Sequence, residues 1–301
     1  MKKLFPNSNI NIYIIPGTPV IYVKDIDSII FSDLHLGFEE AVARGLDYSS
    51  RESSYSVGMF IPKIQLKRII ETLDKVFSIV KPRKVIINGD VKHAFDRLLR
   101  QEREETKKLI EYLFNKGIRE IVVIRGNHDN FIPIVLRDYG IDLVLKYEFV
   151  SGGKHVVITH GHLELDPSEA DLFIIGHEHP SIRCMSVYRF PAFMIIPTTQ
   201  SSQILVLPAI GPYHPGIQIT TDNSSYLSPI IREYGVLDKS RVITWIDLGE
   251  FRGVLTEFSF EEELRKRDLL YIERYVISGR EIAVLDFSSI EVALAICGSY
   301  V

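Results

Sequence analysis

The chain has 301 residues, 46% hydrophobic and 25% charged, with a formal net charge of -4 and a sequence pI of about 6.2. Those proportions describe a folded globular protein with room for one large domain, alone or with an appendage. The mild acidity argues against a protein that coats long nucleic acid, and no run approaches the roughly 18 apolar residues of a membrane span. Two cysteines, Cys184 and Cys297, stand in no ligand-like spacing, which excludes a disulfide framework or a Cys-rich zinc site and fits a reducing, cytoplasmic setting. The Met1-Lys2-Lys3 start could open a signal peptide, but Pro6-Asn7-Ser8-Asn9 interrupts any apolar run.

In chain order, residues 10–23 hold two strand-like pieces around the Pro16-Gly17 turn. Ser28-Ile29-Ile30-Phe31 follows, a continuous apolar run of the kind that forms a strand buried on both faces. Residues 62–79 place Ile64, Leu66, Ile69, Ile70, Leu73 and Phe77 along one helical face, and residues 97–116 do the same with Leu98, Leu99, Thr106, Leu109, Ile110 and Leu113. Basic residues such as Arg97, Arg100 and Arg103 alternate with acids there, as on an exposed helix face. Four more strand-like runs are Lys84-Val85-Ile86-Ile87, Ile121-Val122-Val123-Ile124, His155-Val156-Val157-Ile158 and Leu172-Phe173-Ile174-Ile175. Strand and helix alternating in this way predict a layered α/β fold. Residues 182–258 read as several strands joined by Pro- and Gly-containing turns. Residues 259–301 read as a C-terminal appendage: a charged helix from Glu261 to Arg274, then an apolar end with Ile290, Val292, Ala293, Leu294 and Ile296 that would want a partner.

The chemistry follows the apolar runs. They end in Asp33-Leu34-His35, Gly89-Asp90, Gly126-Asn127-His128-Asp129, His160-Gly161-His162 and Gly176-His177-Glu178-His179. The carboxyl ends of strands are where sites form in open α/β sheets, and a glycine beside a ligand lets backbone and ion approach closely. Carboxylate and amide oxygens mixed with imidazoles suit Mn²⁺, Fe²⁺ or Zn²⁺ better than Ca²⁺. Seven or eight such side chains exceed the three or four that one ion takes, so the set suits two ions sharing a carboxylate. Taken singly, each of these residues reads as a cap or turn residue; it is their joint placement that points to a metal.

This ordered set resembles the calcineurin-like metallophosphoesterases over roughly residues 28–180, and within them the SbcD-related archaeal phosphoesterases and the phosphodiesterases associated with a DNA ligase. The resemblance implies a four-layer α/β/β/α sandwich over residues 1–258, with residues 28–180 carrying the ligands and residues 182–258 supplying the second sheet. It implies one ion on Asp33, His35, Asp90 and His179 and another on Asp90, Asn127, His160 and His177, with Asp90 bridging. Mn²⁺ is the leading candidate, ahead of Fe²⁺, Zn²⁺, Ni²⁺ or Co²⁺. A water shared by the two ions would attack phosphorus, with His128 as general acid and His93 helping in phosphodiester cleavage. Asp129 is expected to orient His128, His162 to line the site or support it, and His155 and His214 to be structural. The expected activity is hydrolysis of phosphodiesters in nucleotides or short nucleic acids. The alternatives are an SbcD-like DNA nuclease working with a DNA-repair partner, a phosphomonoesterase, or a silent scaffold. A homo-oligomer is compatible with all of them. Gly89-Asp90-Val91-Lys92-His93 departs from the Gly-Asp-x-x-Asp-Arg-Gly of phosphoprotein phosphatases, which weakens the monoesterase reading.

Overall fold

A computed structural model of the chain describes residues 1–46, 61–184, 188–214, 216–250 and 261–298. Seven strands form the first sheet in sequence order: β1 (Lys2–Lys3), β2 (Ile12–Ile14), β3 (Ile21–Val23), β4 (Ser28–Phe31), β5 (Lys84–Asn88), β6 (Glu120–Ile124) and β7 (Leu143–Val144). The strands from β4 to β7 run parallel, and those before β4 are antiparallel. The parallel crossovers from β4 to β5 and from β5 to β6 run through α1 (Phe38–Ala43) with α2 (Gln65–Ile79), and through α3 (Arg100–Asn115).

The second sheet is built from β8 (Lys146–Ser151), β9 (Lys154–Thr159), β10 (Leu172–Ile175), β11 (Pro180–Cys184), β12 (Tyr188–Pro197), β13 (Gln203–Val206), β14 (Ile217–Gln218), β15 (Arg241–Asp247), β16 (Leu270–Ile277) and β17 (Arg280–Phe287). Its main path runs β16-β17-β15-β12-β13-β10-β9-β8, with β11 beside β12 and β14 beside β11.

Alternation along the strands gives the layers their cores. From β4, Ile29 and Phe31 pack with Ile69, Leu73 and Val76 of α2 and with Leu109 and Leu113 of α3. Ile30, between them, points the other way, with Ile86 and Ile124, onto Ile158, Ile174, Leu205 and Ile243 of the second sheet. The far face of that sheet, with Phe173, Met194 and Leu285, is covered by α5 (Pro229–Tyr234) and α7 (Ile290–Gly298) through Ile230, Ile231, Ile290 and Ala293. Helix, sheet, sheet and helix make a four-layer α/β/β/α sandwich.

Five sequence expectations change. The second sheet begins at Lys146, so the runs ending at His160 and His177 belong to it and not to the sheet that carries Asp33 and Asp90. Helix α2 buries Gln65, Ile69, Leu73 and Val76, leaving Ile64 exposed. The charged helix stops at Lys266 as α6 (Glu261–Lys266), because residues 270–277 pair with β17 as an outer strand. Strands β16 and β17 thus extend the second sheet, and the apolar end forms α7, whose Ile290, Ala293 and Cys297 are buried against that sheet. The boundary expected at residue 258 lies outside the described residues. Cys184 on β11 and Cys297 on α7, 113 residues apart, are joined as a disulfide. Pairing comes from α7 packing beside β11, which no spacing in the chain announces, and it removes the cysteine argument for a reducing compartment. No helix among the described residues is long and apolar enough to cross a membrane.

Candidate metal centre

Beyond the ends of β4 and β5 the backbone ladder continues. Asp33 N–H donates to the Gly89 carbonyl, His35 N–H to that of Asp90, and Leu36 N–H to that of Val91. Three of the five donor segments then turn through the left-handed region: φ is 59° at Asp33, 48° at His35, 49° at Asp90, 68° at His177 and 45° at His179. That conformation is costly for any residue with a side chain and concentrates where function requires it. Here it swings donors from strands of both sheets into one cleft.

Four donor triads result among the described residues, one of them His35, Asp90 and His128; two draw on both sheets through the His160 and His177–His179 strand ends. Asp33, His35 and His179 form one, and Asp90, His160 and His177 form the other, each with its donor atoms within 4.8 Å of one another. His179 Nε2 lies 3.0 Å from Asp33 Oδ1, and His160 Nε2 lies 3.3 Å from Asp90 Oδ2 and 3.9 Å from Asp33 Oδ1. His35 Nε2 is 3.7 Å from Asp90 Oδ2 and 3.4 Å from His179 Nε2. Asn127 follows Gly126, which packs directly on Asp90. The Asn127 Oδ1 atom is buried and makes no hydrogen bond among the described residues. Buried acceptors left in that state are costly, and a divalent ion is the partner this mix of oxygens and imidazoles fits. His160 Nδ1–H donates to the Asn88 carbonyl at 2.9 Å, which fixes the tautomer that turns Nε2 toward Asp90.

The electrostatics agree with a cation site. Burial pushes the Asp33 carboxyl up, but His179 and His160 outweigh it and hold it below its ordinary range; Asp90 is held well below for the same reason, chiefly by His160. Burial works against the His160 imidazolium, yet Asp90 and Asp33 raise its pKa to about 10, and Asp33 likewise raises His179. Burial, with the neighbouring His160, lowers His177 to about 4. Without ions, protons on His160 and His179 stand where cations would neutralise the carboxylates.

Glycines make the approach possible. A Cβ on Gly126 would fall 2.1 Å from Asp90 Oδ1, on Gly89 2.2 Å from His160 Nδ1, and on Gly176 2.7 Å from Asp33 Oδ2.

Around the triads the expectations divide. His128 N–H donates to Asp90 Oδ1 at 3.0 Å, and its ring lies edge-on to His35. His93 also lies edge-on to His35, and its carbonyl accepts from His128 Nδ1–H at 2.5 Å. Asp129 does not orient His128. Its carboxylate accepts from Val91 N–H and Gly126 N–H, both at 2.8 Å, so it ties the loop of Asp90 to that of Asn127. Burial, with Asp90 nearby, raises its pKa to about 6. His162 sits 5.4 Å from the His160 ring, and His155 pairs with Glu148 away from the cleft.

His214, expected to be structural, stands in the cleft instead. Its ring stacks on His35 at 4.0 Å and 22°, and it joins His35 and His93 in a further donor cluster. Ile210 N–H and Gly211 N–H donate to the Ser32 and Asp33 carbonyls, which pins its loop to the ligand strand. No local pattern marks it, because the run around it carries only turn residues. A buried network behind His35 was also unread. Gln65 Nε2 donates to the Leu34 and His35 carbonyls, and Glu39 accepts from Gln65 N–H and from Gln101. The usable signal was polar residues on the inward faces of α2 and α3.

The sequence profile of the calcineurin-like phosphoesterases matches residues 28–181. That span is half of the chain and holds every strand-end donor described above. The chain belongs to the calcineurin-like phosphoesterase family. No curated protein matches it. Among solved structures it is similar to the Pseudomonas putida nuclease MPE, at 20% identity and TM-score 0.47 over 75% of this chain and 88% of that one. It is also similar to an archaeal phosphodiesterase, at 16% identity and TM-score 0.31 over 60% and 82% of the two chains. Vacuolar protein sorting 29 of Cryptosporidium parvum is similar at 12% identity and TM-score 0.30, over 87% and 97%. These are likenesses of fold alone.

Proposed function

We propose that the chain is a two-metal phosphodiesterase acting on nucleotides or short nucleic acids. The observation that carries this reading is the pair of donor triads in one cleft, Asp33–His35–His179 and Asp90–His160–His177, with His128 beside them. Asp33, His35, Asp90 and His179 would hold one ion, and Asp90, Asn127, His160 and His177 the other, with Mn²⁺ the preferred species. Such ions supply Lewis-acid charge at the phosphoryl oxygens and a nucleophile at neutral pH.

The protein's own groups do the rest. A carbonyl only accepts, so the short contact from His128 Nδ1 to the His93 carbonyl fixes that nitrogen as the donor. Nε2 is then the nitrogen that faces the leaving oxygen, and it delivers a proton there only from the imidazolium form, the ring returning to the neutral Nδ1–H tautomer. His93, His128 and His214 offer single imidazole donors beside the triads, which suit a phosphate bearing one charge. The mildly acidic chain favours short substrates, since each phosphate held along a polymer calls for its own cation.

The test is a panel with Mn²⁺ comparing bis-p-nitrophenyl phosphate and nucleotide diesters with p-nitrophenyl phosphate. Faster cleavage of diesters is expected, with His93→Ala hurting them more than the monoester. Monoester activity above that on every diester, indifferent to His93→Ala, would overturn the assignment.

A further inference from the structure

The geometry points to a nucleobase-stacking subsite beside His128, formed by Phe95 and Phe131 with Arg125 at its rim, on the leaving-group side of the centre. The inference rests on the phosphodiesterase reading and names the part of the substrate that the metal centre itself does not explain. A cleft of about 530 Å³ opens there, lined by Phe95, Arg125, Asp129, Asn130, Phe131 and Pro133 among others. It shares structure with the metal centre. Asp129, in its wall, ties the Asp90 loop to the Asn127 loop, and the Phe95 ring lies edge-on to His128 at 5.6 Å. A group held in this cleft therefore adjoins the side chain that serves the leaving oxygen.

Four features of the cleft fit a base. Phe95 and Phe131 are 46% and 49% exposed, so two large rings stay in solvent where burial would have stabilised the chain. Phe131 holds φ at 71°, a left-handed conformation that a bulky residue seldom adopts, in the segment before helix α4 (Pro133–Leu136). Asn130 fastens the two rims: its Nδ2 donates to the Phe95 carbonyl at 3.3 Å, and its Oδ1 accepts from Arg125 Nη2 at 2.9 Å. The bond to Asn130 holds the Arg125 guanidinium at the rim of the cleft, with the acidic Asp96 and Asp129 also in its lining. Exposed rings with a nearby guanidinium make the stacking platform used for single nucleotides, where any base offers a π face.

The experiment uses two diesters that differ only in the base of the leaving nucleoside: a dinucleotide and its abasic analogue, with Mn²⁺. Wild-type kcat/KM should favour the base-bearing diester by about 10-fold to 100-fold, the worth of one stacked base. Phe95→Leu/Phe131→Leu keeps apolar bulk and removes both π faces, and it should cut that preference to about threefold or less. Equal preference in wild type and variant, or none in wild type, would overturn the subsite. If wild type cleaves neither diester, the phosphodiesterase reading fails, and calorimetry with adenosine 5′-monophosphate against ribose 5-phosphate decides the subsite separately. Tighter binding of the base-bearing ligand, lost in the variant, sustains it; equal binding overturns it. Circular dichroism checks folding. Should the double variant not fold, the single changes Phe95→Leu and Phe131→Leu are read by the same ratio.

Discussion

Replacing Gly126 by alanine tests the centre through one methyl group. The backbone at Gly126 is not left-handed, so alanine meets no conformational penalty there, and the whole effect is steric. The new Cβ would lie 2.1 Å from Asp90 Oδ1, 2.4 Å from Asp90 N and 2.9 Å from its Cγ, whereas ordinary contact begins at 3.4 Å. Because one neighbour is backbone, the side chain cannot simply rotate aside; the whole Asp90 segment must retreat by roughly an ångström. Overpacking of this kind costs about 1–3 kcal/mol of stability. Function should suffer more, since metal ligands tolerate only about 0.2 Å and a misplacement of about 1 Å can cost around 10²-fold in rate. Asp90 is the carboxylate proposed to bridge, so both ions should weaken together. Elemental analysis per chain, diesterase kinetics with Mn²⁺ and thermal melting would be compared with Gly298→Ala, where a Cβ meets nothing within 4 Å. A Gly126→Ala protein that holds two ions and turns over at the wild-type rate would refute the placement of Asp90 at the centre.

Three further expectations follow from the same geometry. His128→Ala should keep its metal while kcat falls by roughly 10²–10⁴, with a smaller loss on p-nitrophenyl esters, whose leaving group needs little protonation; metal lost in step with activity would make His128 a ligand. Metal binding near pH 7 should release protons, because Asp90 and Asp33 hold His160 protonated up to about 10 and raise His179. Apparent affinity should then rise by about tenfold per pH unit for each proton displaced, and calorimetry in buffers of different ionisation enthalpy showing no proton release would contradict the electrostatics. His214→Ala should weaken metal affinity by about 10-fold or more by removing the ring stacked on His35, and His214→Phe should restore it; unchanged affinity in His214→Ala would rule out that support.

Much of the centre was written locally in the chain. Each donor segment is an apolar run followed directly by a turn and a polar side chain, so strand, strand end and donor are contiguous, and Asp33, His35, Asp90, Asn127, His160, His177 and His179 stood out as candidates before any fold was known. The glycines beside them were legible too, because a missing Cβ is the local condition for close approach. What local pattern cannot carry is which sheet a strand joins. A short apolar run looks the same in either one, and only the pairing of β9 and β10 with β8 and β13, which leaves Ile158 and Ile174 packed on Ile30 and Ile86, puts two of the five donor strands in the second sheet. Residues 270–274 fall in the charged helix expected to reach Arg274, yet lie in a strand because β17 offers them a ladder that an isolated helix cannot match. His214, the disulfide between Cys184 and Cys297, and the Phe95–Phe131 cleft all join residues far apart in sequence. Their meaning lies in who they meet, and contacts of that range exist only once both sheets have closed on each other.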